Sequence, residues 1–136
     1  MSRILVRDDR WMDFIERNLV DHEAIANARV GACIVFKNEI VSFQTNQLKT
    51  HPLQTKFGRN KEAIYLHAEV ASIVAASKRI IHPNDWKKST IYVLRLTKNE
   101  DRAIAKPCSG CTQAIAAYGI GRVVYTGFDG ETIVVD

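Results

Sequence analysis

The sequence predicts an α/β fold of three layers, with a central mixed five-stranded sheet and helices on both faces. Three observations carry this expectation. Apolar or β-branched runs of strand length recur along the chain, segments of helical spacing alternate with them in the order α-β-β-α-β-α-β-β, and Gly, Asn and Asp mark the boundaries. With 136 residues, 46% of them hydrophobic and 25% charged, the chain has the length of one domain, residues 1–136, and a self-sufficient core is expected.

Each element has its own warrant. Residues 10–28 place Trp11, Phe14, Ile15, Leu19 and Ile25 near helical spacing with charges between them, which predicts an amphipathic first helix. Two apolar runs, 30–36 and 40–45, are parted by Lys37, Asn38 and Glu39, the pattern of a hairpin. From Gln47 to Glu62 the chain turns polar and irregular, with Lys49, Lys56, Arg59 and Lys61 set against Glu62 alone. A long irregular loop inside a compact domain is often functional. The alanine-rich stretch 63–79 predicts a second helix ending in basic residues, and STIYVLRLT, 89–97, a strand. After a charged loop, CSGCTQAIAAYGI predicts a third helix closed by Gly119 or Gly121, followed by the strand RVVYTG. Asp129-Gly130 then predicts a turn into a fifth strand paired as a hairpin. A strand-helix-strand crossover is expected to be right-handed.

Charge and composition narrow the function classes. A net charge of +4 suggests anionic partners, but nineteen basic residues against fifteen acidic ones, scattered along the chain, suit a phosphorylated small molecule as well as a nucleic acid. No apolar run of membrane-spanning length occurs, and the start MSRILVRDDR lacks a signal-peptide core, so a cytoplasmic location and no membrane partner are expected. In a reducing compartment the close pair Cys108 and Cys111 reads as metal-binding or redox-active rather than as a crosslink. Cys33, inside an apolar run, reads as core.

The stretch YLHAEVASIV, 65–74, puts His67 and Glu69 into an otherwise apolar segment. A lone histidine of this kind is more often a satisfied core residue, and a lone CxxC is a redox pair or half of a structural site. Together the residues point elsewhere. One imidazole and two cysteines are the ligand types zinc prefers, and three protein ligands leave a fourth position open for water, as a catalytic site requires. If Cys108 begins a helix, Cys111 follows one turn later on the same side, where the helix N-terminus lowers thiol pKa values. Glu69 lies too far round its helix to ligate in the same way as His67, and is placed to move protons beside the metal.

His67-Ala68-Glu69 followed by Pro107-Cys108-Ser109-Gly110-Cys111 is similar to the H-x-E and P-C-x-x-C signature of zinc deaminases. The chain resembles the cytidine and deoxycytidylate deaminase superfamily, which also includes tRNA adenosine deaminases. Val30-Gly31-Ala32, Asn46 and AIAAYGIGRVVYTG extend the resemblance over about residues 10–127. It implies a cytidine-deaminase-like fold, one zinc ion per chain on His67, Cys108 and Cys111, Glu69 as proton shuttle, and hydrolytic deamination. It further implies that the Ala68 N–H binds the base carbonyl, Asn46 a sugar hydroxyl, and that Ala32 lines the pocket. Relatives form oligomers, so a homo-oligomer is expected. Lys106 departs from the small polar or acidic residue common before the P-C-x-x-C proline.

The basic loop points to the substrate. Lys49, His51, Lys56, Arg59 and Lys61 stand between Asn46 and His67, suited to closing over a phosphate, with Lys49, His51 and Arg59 as candidate contacts. A cytosine nucleotide, dCMP first, is therefore expected. The alternatives are free cytidine or deoxycytidine, suggested by the compact length and a terminal hairpin like that of free-cytidine deaminases; a base in tRNA or single-stranded nucleic acid; and a non-catalytic zinc-binding module. Phe57 and Tyr65 are few for the aromatic surface a nucleic acid would need. Glu69 argues against a purely structural zinc site.

Overall fold

A computed structural model describes residues 4–22, 29–47, 52, 56 and 66–135. Helix α1 (Val6–Leu19) presents Trp11, Met12, Ile15 and Leu19 to the sheet, each worth about 1.5–3 kcal/mol of apolar burial. It begins four residues before the expected boundary, because the Asp8 carboxylate accepts a hydrogen bond from the Leu5 N–H at 2.7 Å and closes the first turn. Strands β1 (Arg29–Phe36) and β2 (Glu39–Thr45) form the expected hairpin. Its two-residue turn, Lys37 and Asn38, has φ of 53° and 61°, as a turn matching the twist of the strands requires. A bulge between Ile34 and Val35 shifts the register.

Helix α2 (Ala68–Ala76) is shorter than the expected 63–79. Leu66 is held extended by two backbone hydrogen bonds to Gln47, of 2.9 and 3.0 Å, which delays the helix until Ala68; residues 63–65 lie outside the described residues. Lys78 and Arg79 sit in turns beyond its end. A short helix not foreseen, α3 (Pro83–Lys87), starts on a proline and buries Trp86 edge-on against Tyr118, ring centroids 5.3 Å apart. Next come β3 (Thr90–Leu96), β4 (Arg102–Ala103), α4 (Ser109–Tyr118), β5 (Arg122–Thr126) and β6 (Thr132–Val135). Gly119, at φ 77°, caps α4 in the left-handed region.

Among the described residues the sheet runs β2-β1-β3-β5-β6, with β4 paired to β3, which makes six strands where five were expected. The extra strand is two residues long, too short to carry an alternation that sequence could reveal. Among the described strands only β3 and β5 are parallel, joined by the crossover that contains α4, and β6 returns antiparallel to β5 as the predicted hairpin. Alternation along the strands divides the core. Ala32, Ile34, Ile91, Val93 and Tyr125 face α2 and α4, whereas Cys33, Val35, Tyr92, Leu94 and Val124 face α1.

Two features fix α1 to the sheet. A side chain at Gly31 would place its Cβ 2.7 Å from Ile15 and 3.2 Å from Leu19, so only glycine admits the helix this closely. Asp8, fully buried, accepts hydrogen bonds from both Arg122 Nη1 and Nη2 at 2.6 Å and from the Tyr92 hydroxyl at 2.7 Å. Burial alone would raise the Asp8 pKa, but the bonds from Arg122, Tyr92 and the Leu5 N–H outweigh it and hold the carboxyl below its ordinary value.

Candidate metal centre

His67 is the residue before α2, in extended conformation (φ −70°, ψ 150°), and its carbonyl accepts the hydrogen bond of Ala71 N–H at 2.9 Å. The Leu66 to Gln47 bridge fixes the segment leading to it. Cys108 occupies the equivalent position before α4, and its sulfur accepts from the Cys111 N–H at 3.4 Å. The approach to Cys108 is tied to the sheet by a 2.8 Å bond from the Ala105 N–H to the Thr126 carbonyl. Two helix N-termini thus meet, each delivering one or two ligands.

His67 Nδ1 lies 3.3 Å from Cys111 Sγ and 3.7 Å from Cys108 Sγ, and the three donor atoms all fall within 4.8 Å of one another. Ligand edges of a tetrahedral zinc with bonds of about 2.3 Å to sulfur and 2.0 Å to nitrogen are roughly 3.5–3.8 Å. Two borderline-soft thiols and an imidazole at these separations fit zinc. Glu69 stands outside this donor set and is 6% exposed, in the first turn of α2.

The protons follow the geometry. Hydrogen bonds from Cys111 and His67 lower the Cys108 thiol to about 3, overcoming its partial burial. The same contact with Cys108, then burial, pushes Cys111 well up. Hydrogen bonding to Cys108 raises His67 against the effect of burial, with the Glu69 charge contributing. Burial raises Glu69, opposed in part by its own backbone N–H and by His67. One thiolate is therefore ready in the protein, and metal uptake displaces protons from the other ligands, so affinity falls as pH drops.

The other expected site residues are dispersed. Asn46 follows β2, where its Oδ1 accepts from the Val30 N–H and its own N–H donates to the Val30 carbonyl, both at 3.2 Å. The side-chain amide thus braces the β1 to β2 edge, a role its position after a strand does not reveal. Ala68 opens α2, and Ala32 lies on the α2 face of β1; both are fully buried. Lys49, His51 and Arg59 lie outside the described residues, as do Phe57, Lys61 and Tyr65. Cys33 is core, and burial raises its thiol far above the ordinary range.

A three-layer α/β scaffold with one histidine and two cysteines at facing helix N-termini defines a zinc-binding α/β protein. A model of the cytidine and deoxycytidylate deaminase zinc-binding region matches residues 6–127, and the chain belongs to that family. Comparison with curated proteins gives no significant match. Solved structures share the fold. The dCMP deaminase of the cyanophage S-TIM5 in apo form superposes with a TM-score of 0.62 at 18% identity, covering 93% of this chain and 86% of that one. Cytidine deaminase from Burkholderia pseudomallei gives 0.61 at 17% identity, with 93% and 91% covered. The cyanophage enzyme in complex with dCMP and dUMP gives 0.54 at 16% identity, with 93% and 85% covered. No helix among the described residues is long and apolar enough to cross a membrane.

Proposed function

We propose that the protein is a zinc-dependent hydrolytic deaminase that converts a cytosine nucleotide, dCMP by preference, to the uracil nucleotide and ammonia. The observation that carries this reading is the meeting of His67 Nδ1 with two cysteine sulfurs beside a buried carboxyl, Glu69, whose pKa is raised. Zinc, when bound, acidifies a coordinated water and fixes it beside the substrate. Glu69 takes one proton from the water as its oxygen bonds to C4 and passes it to the ring nitrogen N3; it then takes the second proton from the new C4 hydroxyl and gives it to the amine, so that the C4–N bond breaks as the C4 carbonyl forms. A carboxyl poised above its ordinary range both accepts and gives protons near neutral pH.

Binding falls to the flanking residues. The Ala68 N–H binds the base carbonyl, Ala32 closes the pocket behind the ring, and Asn46 meets the sugar. Lys49, His51 and Arg59 take the phosphate, whose two negative charges suit a basic segment. The 136 residues act as one domain in the cytoplasm, assembled as a homo-oligomer. A second reading, free cytidine or deoxycytidine as substrate, is favoured by the antiparallel β5 to β6 hairpin, which resembles that of free-cytidine deaminases.

An ultraviolet assay over cytidine, deoxycytidine, CMP, dCMP and the adenine and guanine counterparts tests both. The expected order places dCMP first. Faster turnover of deoxycytidine removes the phosphate role from the basic segment, and absence of ammonia from every compound removes the enzyme reading.

A further inference from the structure

The two cysteines of the metal centre are placed by different means. Cys111 sits in the first turn of α4 and is fully buried, so the packing of the helix against the sheet sets its position. Cys108 stands before the helix and is exposed. It is reached through an irregular segment, 104–108, that has neither helical turns nor strand pairing of its own. Ile104 and Lys106 are exposed as well, and Ala105 is the one buried residue of the segment. Apolar packing therefore does little to hold it.

Thr126, the last residue of β5 and fully buried, supplies a polar restraint instead. Its hydroxyl donates to the Ala103 carbonyl, and its own carbonyl accepts from the Ala105 N–H at 2.8 Å. One residue thus holds the backbone on both sides of Ile104. The hydroxyl adds nothing to the pairing of β5 with β6, which runs through the backbone, and a valine would suit the strand as well. Cys108 lies three residues past Ala105, at most about 10–11 Å of extended chain. Pro107 narrows the remaining freedom, since it fixes its own φ and keeps Lys106 out of the helical region. The bond from the Thr112 hydroxyl to the Pro107 carbonyl is 3.4 Å long and exposed, a weaker restraint.

We propose that Thr126 is a positioning residue of the metal centre, which aims Cys108 at His67 and Cys111 by fixing the backbone at Ala103 and Ala105. The Gln47 to Leu66 bridge does the same for His67 through the backbone alone. At Cys108 a side chain takes part, so the device is open to substitution. The inference rests on the reading of His67, Cys108 and Cys111 as a zinc site and holds whichever substrate that site accepts.

Zinc affinity of the full chain, measured by competition with a chromophoric chelator, and the absorption of the cobalt-substituted protein test it. Thr126→Val replaces the hydroxyl by a methyl of similar size. It is expected to weaken zinc binding about tenfold or more, the scale typical of residues that orient metal ligands. Its cobalt form should lose part of the sulfur-to-cobalt charge-transfer band. Thr126→Ser, which keeps the hydroxyl, should bind as the wild type does. Tyr92→Phe loses a buried bond to Asp8 on the α1 side, so it gauges general destabilisation and should leave both readouts unchanged. Wild-type zinc affinity and cobalt absorption in Thr126→Val overturn the proposal, as does a loss of equal size in Thr126→Ser or in Tyr92→Phe. A wild type that takes up neither zinc nor cobalt overturns the metal centre itself, and the role of Thr126 with it.

Discussion

Asp8 and Glu69 are both buried carboxyls, 0% and 6% exposed, yet the two sides of the sheet treat them in opposite ways. On the α1 side Asp8 receives four donors: the Leu5 N–H, the Tyr92 hydroxyl and two guanidinium N–H groups of Arg122. On the α2 side Glu69 meets its own backbone N–H, the Cys111 thiol and the His67 charge, and among the described residues no arginine or lysine pairs with it. Donors win over burial at Asp8, and burial wins at Glu69. A carboxylate saturated with donors is a fixed charge and serves structure; one left short of them holds a labile proton.

The sharpest way to break this contrast is Glu69→Gln. Deamination is expected to fall by about 10³-fold or more, while metal analysis still finds one zinc per chain and the melting temperature holds. Loss of zinc with the activity would place Glu69 among the ligands. Asp8→Asn should leave the zinc content intact but lower stability by about 3–5 kcal/mol in urea titration, since it strands Arg122 beside a neutral partner. Replacing both partners together, Asp8→Asn with Arg122→Met, should cost less than the two single losses added, the mark of a coupled pair.

Acid distinguishes the pair further. The folded Asp8 pKa lies below its ordinary value of 3.8, so its contribution is fully present above that pH and is lost as pH falls through the folded value. Urea midpoints of the wild type should therefore drop below about pH 4 more steeply than those of Asp8→Asn. Equal slopes would deny Asp8 its stabilising role. The smallest effect is expected at Gly31→Ala, about 1–3 kcal/mol of stability from crowding Ile15 and Leu19, with the substrate preference unchanged.

Much of this arrangement was legible in the residues. Strand alternation and turn chemistry located β1, β2, β3, β5 and the β6 hairpin, and the paired short motifs pointed to His67, Cys108 and Cys111, the three residues whose donor atoms the fold brings together as a candidate metal site. What escaped was long-range or very short. Asp8 and Arg122 are 114 positions apart, and two charged residues so separated leave no pattern that marks them as partners. The late start of α2 follows from backbone pairing between Leu66 and Gln47, which no propensity encodes.

The loop between β3 and β4 is moored at both ends before the chain reaches Pro107. Leu96 pairs with Arg102, and the Ala105 N–H clasps Thr126 on the next parallel strand. Residues 98–101 thus form an appendix whose size is mechanically insulated from the thiols downstream. Segments grafted there will alter the rim of the molecule without shifting the place where the two helices hold their ion.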